Sequence, residues 1–224
     1  MAGYYELRLP SDPKIIGVRN GIMQVEICDE VFLSAIRPVL FNGTEVPLSD
    51  EAKAMTITCL RVLPRAKLTD VLSFGPSLTW CPFLVKRTTL SLLSTFHIRI
   101  THVFPVALDP DPQGLNEYAL AFIQPLWMDF IDFPRSTYYT GSDILNNKQR
   151  CVFSTKEEYI KRPDPLALPE RIVLAPHFDL SLDLFYLVGC GICVSERLKQ
   201  ALEQEKTSGV KIFSTMIATA AANG

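Results

Sequence analysis

Apolar and polar residues alternate in short runs along this chain, and each run is broken before it can grow into a long helix. Tyr4 to Leu9 alternates, with Tyr5, Leu7 and Leu9 on one side and Glu6 and Arg8 on the other, which predicts an opening strand. Pro10-Ser11-Asp12-Pro13 ends it, and Ile15 to Val18 reads as a second short strand. Met23, Val25 and Ile27 alternate with Gln24 and Glu26 as a half-buried strand. Asn20-Gly21 and Asn42-Gly43 are turn signals. Ser49, Asp50 and Glu51 open a short helix that gives way to extended chain by Thr56-Ile57-Thr58. Tyr118 to Ile123 reads as a buried strand, and Ile172 to Leu174 as a compact one. Between them Ser154 and Glu157 stand at capping-box spacing, before Pro163 and Pro165 stop that helix.

The strongest single pattern spans residues 182–213. An apolar run from Leu184 to Val194 leads to Ser195, a good helix N-cap, followed by Glu196 in the first turn. Leu198, Ala201 and Leu202 recur at helical spacing, Gly209 is a helix stop, and Val210 to Phe213 resumes as a strand. Residues 69–108 read as an earlier copy. Thr69-Asp70-Val71-Leu72 matches Leu182-Asp183-Leu184-Phe185, and Phe83-Leu84-Val85-Lys86 matches Ile192-Cys193-Val194-Ser195. The alternative is two ordinary helix–strand joins. The pattern as a whole predicts an α+β fold, with mixed or mainly antiparallel sheets and a few short helices. We expect one globular domain over 1–216, two lobes of about 1–115 and 116–216 being the alternative, and a fraying tail over 217–224.

Composition narrows the classes. The chain has 224 residues, nearly half of them hydrophobic (48%), enough for a sizeable core. Its formal net charge of −2 is spread without a basic block, so nucleic acid is not an expected partner. Apolar runs are too short to span a bilayer, so no membrane partner is expected either. Met1 to Glu6 lacks the layout of a secretory signal, which places the chain in the cytoplasm. Six cysteines are too few for a disulfide scaffold, and Cys28, Cys59 and Cys190 lie in apolar runs where a thiol acts as a small hydrophobe.

Candidate chemistry is sparse. Cys190-Gly-Ile-Cys193 is the loudest motif, but a redox pair needs its first cysteine at a helix N-terminus, and the cap here is Ser195. In extended chain the two thiols would point to opposite faces. No second CxxC or HExxH completes a zinc site. His177 with a cysteine, or Asp129, Asp132, Asp179 and Asp183 as a carboxylate cluster, are weighed against turn and strand-end roles, which we favour. Tyr4-Tyr5 and Tyr138-Tyr139 are interface or packing aromatics. No cofactor, metal or catalytic residue is expected.

Several of these stretches carry a resemblance. Tyr4-Tyr5-Glu6-Leu7, Tyr118 to Ile123, Asp129-Phe-Ile-Asp-Phe-Pro-Arg-Ser136, Val194-Ser-Glu-Arg-Leu-Lys-Gln-Ala-Leu202 and Gly209 to Phe213 resemble, in this order, a family of bacterial immunity proteins found beside polymorphic toxin genes, including Rhs-type and type VI secreted toxins. The resemblance implies a non-enzymatic inhibitor that binds a cognate toxin effector domain and occludes its active site. The family markers Asp132, Ser136, Ser195, Leu198 and Leu202 are then structural. The toxin-binding residues are unknown, and the loops 108–117 and 134–150 are where recognition would sit. A small thiol- or metal-dependent enzyme using Cys190 and Cys193, and a scaffold domain unrelated to toxins, are the competing readings.

Overall fold

In the computed structural model, residues 3–19, 23–41, 48–76, 83–123, 125–162 and 167–218 are described; the Asn20-Gly21 and Asn42-Gly43 turns lie outside them. The fold is α+β, with short helices and several antiparallel or mixed sheets. The chain forms two compact units. One comprises 1–7, 125–201 and 212–224, the other 8–124 and 202–211.

In the first unit, five strands lie in the order Lys211–Ser214, Tyr4–Arg8, Gly191–Ser195, Leu184–Leu187 and Pro125–Leu126. A second sheet runs Gln149–Cys151, Thr137–Thr140, Leu168–Val173 and Ile217–Ala218. The fraying expected over 217–224 does not include its first residues: Ile217 is buried and pairs in parallel with Ile172, and residues 219–224 lie outside the described residues. The core is aromatic, with Tyr4, Phe178 and Phe185 edge to face and Phe133, Tyr138, Phe153 and Tyr159 in mutual contact. Tyr4, not Tyr5, points inward. Its hydroxyl donates to Leu180 O at 3.1 Å, whereas the Tyr5 ring lies outside under Lys199 Nζ, 4.1 Å away.

In the second unit, one sheet runs Leu60–Val62, Val25–Ile27 and Phe74–Gly75, and another runs Val71–Leu72, Phe83–Lys86, Tyr118–Ile123 and Ile100–Pro105. All six residues of Tyr118–Ile123 are buried. Gln24, fully buried, ties the unit together: its amide donates to Lys67 O and Thr69 Oγ1, and its Oε1 accepts from Ser73. The strand expected over Ile15 to Val18 is instead a helical turn, Pro13–Ile16. Asp12 Oδ1 caps Lys14 N at 2.9 Å, Pro13 takes the first position and Gly17 ends the turn at φ +83°.

The two matched stretches share one strand order. Each holds an antiparallel strand pair, a strand paired to the second member of that pair, and an exit strand beyond, with a helix joining that second member to the exit strand. Tyr4 pairs with Ser195 and Tyr118 with Lys86, each tyrosine opposite the residue before the helix. Leu184 pairs with Val194 as Val71 pairs with Val85. Ser195 N donates to Asp183 O at 2.8 Å, and Lys86 N donates to Asp70 O at 2.8 Å. The copies differ in how they are closed: Tyr118–Ile123 follows its copy in the chain, whereas Tyr4–Arg8 precedes its own.

Candidate interaction surface

Cys190 sits in the tight turn between Leu184–Leu187 and Gly191–Ser195, its amide donating to Leu187 O at 2.9 Å, with Gly189 and Gly191 at φ +90° and +87°. Because it lies in this turn, Cys190 joins the same aromatic core as Cys193; the two thiols do not separate onto opposite faces. Burial, then the nearby Glu6 carboxylate, pushes the Cys190 thiol up to about 12, and burial with Cys190 beside it pushes Cys193 well above its ordinary value. Neither thiol is poised to become a thiolate, and the helix begins at Glu196, past both.

The carboxylates are committed separately. Asp129 pairs with Lys156 at 2.8 Å, and Asp179 accepts from Ser181 N and Oγ. Asp132 caps the turn Phe133–Arg135, its Oδ1 accepting from Arg135 N at 3.3 Å. Asp183 holds Ser195 and Arg197. His177 lies against Phe130, while His97 and His102 belong to the other unit. Burial outweighs a backbone hydrogen bond at Lys53 and, with the Lys53 charge, holds His102 below its ordinary value; its Nε2 has no hydrogen-bond partner among the described residues. Among those residues, no group of three or more His, Cys, Asp or Glu could hold a metal ion.

The family markers lie in two clasps. Ser195 Oγ donates to Asp183 Oδ1 at 2.7 Å and accepts from Leu198 N at 3.1 Å, so it caps the final helix, whose Leu198 and Leu202 are buried. Ser136, also buried, donates to Asp132 O at 2.7 Å and accepts from Val173 N at 2.9 Å, while Asp132 N donates to Val173 O. The clasps fasten strands.

Of the two recognition loops, 108–117 is closed on itself. Asp111 accepts from Leu115 N and Asn116 N at 2.8 Å each, Asn116 bridges Leu108, and Leu115 is buried. The loop 134–150 is different. It contains the hairpin Thr137–Thr140 and Gln149–Cys151, whose tip carries Ile144 and Leu145 at 95% and 72% exposure. The tip is internally bonded. Ser142 N donates to Asn147 Oδ1 at 2.9 Å, and Leu145 N donates to Ser142 Oγ at 3.2 Å. Gly141 takes φ +74°, and a Cβ there would collide with Asn147 O. Beside the tip, Lys148 covers the Tyr139 ring at 4.5 Å, and Glu170 joins Lys148 and Arg150 at 3.6 and 3.3 Å. Leu168 and Arg150 are each paired with Tyr139 across the strands, and Leu168 and Val152 are exposed. Ile144 and Leu145 stand in sequence between Gly141-Ser-Asp and Asn146-Asn-Lys, two aliphatics inside a run of turn residues, and that is the signal that could have marked the tip.

No protein-family model matches the chain, and no curated protein matches it. Among the described residues, no helix is long and apolar enough to cross a membrane.

Proposed function

We propose that the chain is an immunity-type inhibitor that binds a cognate bacterial toxin domain and blocks its active site or substrate access. The observation that carries this reading is the hairpin tip: two aliphatic side chains held almost fully in solvent on a loop locked by its own hydrogen bonds, next to a face bearing Tyr139, Arg150 and Leu168. Tyrosine and arginine are enriched in binding hot spots, and a preorganised element lowers the cost of ordering on association. The ordering entropy of the tip is already spent in the free protein, which favours tight association. The resemblance of the Asp132–Ser136 and Ser195–Leu202 stretches to immunity proteins supplies the partner class, and the cytoplasm of the producing cell is the compartment that goes with it. The burial of both Cys190 and Cys193 weighs against the thiol-enzyme alternative.

The test is co-expression with the toxin encoded beside the gene. Restored growth of the toxin-producing strain, with the two proteins co-purifying, is the expected result; continued killing with no complex rejects the reading.

A further inference from the structure

Cys28 and Cys59, read from the sequence as separate small hydrophobes, are joined by a disulfide. They sit directly opposite each other: Ile27 pairs with Leu60 in the adjoining strands, Cys28 N donates to Cys59 O at 3.1 Å, and the Cα atoms are 5.1 Å apart. A second tie lies alongside. Asp29, next to Cys28, accepts from Thr58 N at 2.8 Å and Thr58 Oγ1 at 2.7 Å, and caps Phe32 N at 2.9 Å. Burial pushes the Asp29 carboxyl up, but these bonds outweigh it and hold the carboxyl below its ordinary value. The two ties close the base of an excursion that contains the helices Glu30–Phe41 and Asp50–Lys53.

We propose that Cys28 and Cys59 form a redox latch, closed by oxidation and opened by reduction without loss of the fold. Two features point to reversibility. Both cysteines are partly exposed, unlike Cys190 and Cys193, so a thiol or disulfide reagent can reach them. The strand pairing and the Asp29–Thr58 bonds hold the two cysteines opposite each other independently of the S–S bond.

Closure proceeds by exchange. One cysteine thiolate attacks a small-molecule or protein disulfide and expels one thiol. The other cysteine then displaces the second thiol from the mixed disulfide. The pair loses two protons and two electrons, and the oxidant is reduced to two thiols. In the closed state the S–S bond adds a covalent tie beside residues 29 and 58; in the open state the hydrogen bonds and the buried Phe32, Ile36 and Ile57 hold residues 29–36 and 48–58. The proposal does not depend on the toxin reading.

The test equilibrates the full chain in glutathione buffers from fully reduced to fully oxidised, traps free thiols by alkylation, and maps them by mass spectrometry. Hydrogen exchange and circular dichroism are followed in the same samples. The expected result is reversible loss of the Cys28 and Cys59 thiols, an unchanged circular dichroism spectrum, and amide exchange in 29–36 and 48–58 that is about tenfold slower when oxidised. The C28S/C59S double variant should show the open-state exchange rate in every buffer. Thiols that stay free throughout, a bond that opens only when the chain unfolds, or exchange rates equal in both states would each overturn the proposal.

Discussion

Asp183 and Ser195 meet twice: the Ser195 amide donates to the Asp183 carbonyl at 2.8 Å, and the Ser195 hydroxyl donates to the Asp183 carboxylate at 2.7 Å. This double bond pattern fixes the start of the final helix to the start of its hairpin. In the other copy Lys86 does the same to Asp70, by its amide at 2.8 Å and its ammonium at 3.6 Å. One copy uses a neutral hydroxyl and the other a charge for the same joint.

Substitution at this joint has a definite cost. Ser195→Ala removes the helix cap and should destabilise the protein by about 1–2 kcal/mol. Asp183→Ala should cost more, about 2–4 kcal/mol, because Ser195 Oγ and Arg197 lose their acceptor at a site only 3% exposed. Urea unfolding, read by the midpoint at constant slope, measures both.

Acid should weaken the second unit through two named carboxylates. Burial raises Asp70, yet the Ser208 hydroxyl and amide, with Lys86, outweigh it and hold the carboxyl below its ordinary value; Asp29 is held low in the same sense. A group depressed in the folded state stabilises at pH above its unfolded value of about 3.9, and that contribution fades as pH falls through the folded value. Stability should therefore drop as pH falls from about 5. The Asp29→Asn, Asp70→Asn double variant should start less stable at neutral pH and lose less between there and acid, as thermal melts across pH would record.

Cys190 and Cys193 should resist alkylation in the folded protein near neutral pH and react fully once it is unfolded. Pulsed alkylation with mass spectrometry reads this directly. Rapid reaction of either in the native state would show a thiolate where the buried geometry holds a thiol.

Gly209 is required by close approach. At φ +84° a Cβ would run into the Val71 carbonyl and the Thr69 side chain. Gly209→Ala should cost about 2–4 kcal/mol, seen as a lowered melting temperature.

How much could be read from the residues themselves follows from how local each determinant is. The strand Tyr118–Ile123 was legible because its apolar run is continuous, and the shared strand order because Asp70 and Asp183 stand at one offset from matching apolar pairs. Pro13–Ile16 was misread: Asp12-Pro13 ends the preceding strand, and the same dipeptide also caps and starts a helical turn. The helix over 156–161 starts one residue later than the capping-box spacing indicates, since Thr155, not Ser154, caps Glu158 N. The final helix stops at Gln204, before Gly209, because Lys206 takes the left-handed conformation and Thr207 N closes onto Leu202 O. Which tyrosine of Tyr4-Tyr5 turns inward was set by Phe178, Phe185 and Leu180, far along the chain. The Cys28–Cys59 link, across a separation of 31 residues, has no local signature at all. The exposed tip left only a faint one, in Ile144 and Leu145 among turn residues.

The interaction surface is tested most directly by calorimetric titration of the purified toxin domain with the wild-type chain and with the I144D/L145D double variant. Both positions are exposed, so the variant should unfold within about 0.5 kcal/mol of wild type. The account predicts tight binding by the wild type and a loss of at least about a hundredfold in affinity for the variant. Equal affinity for the two proteins, with the variant's fold intact, would contradict it.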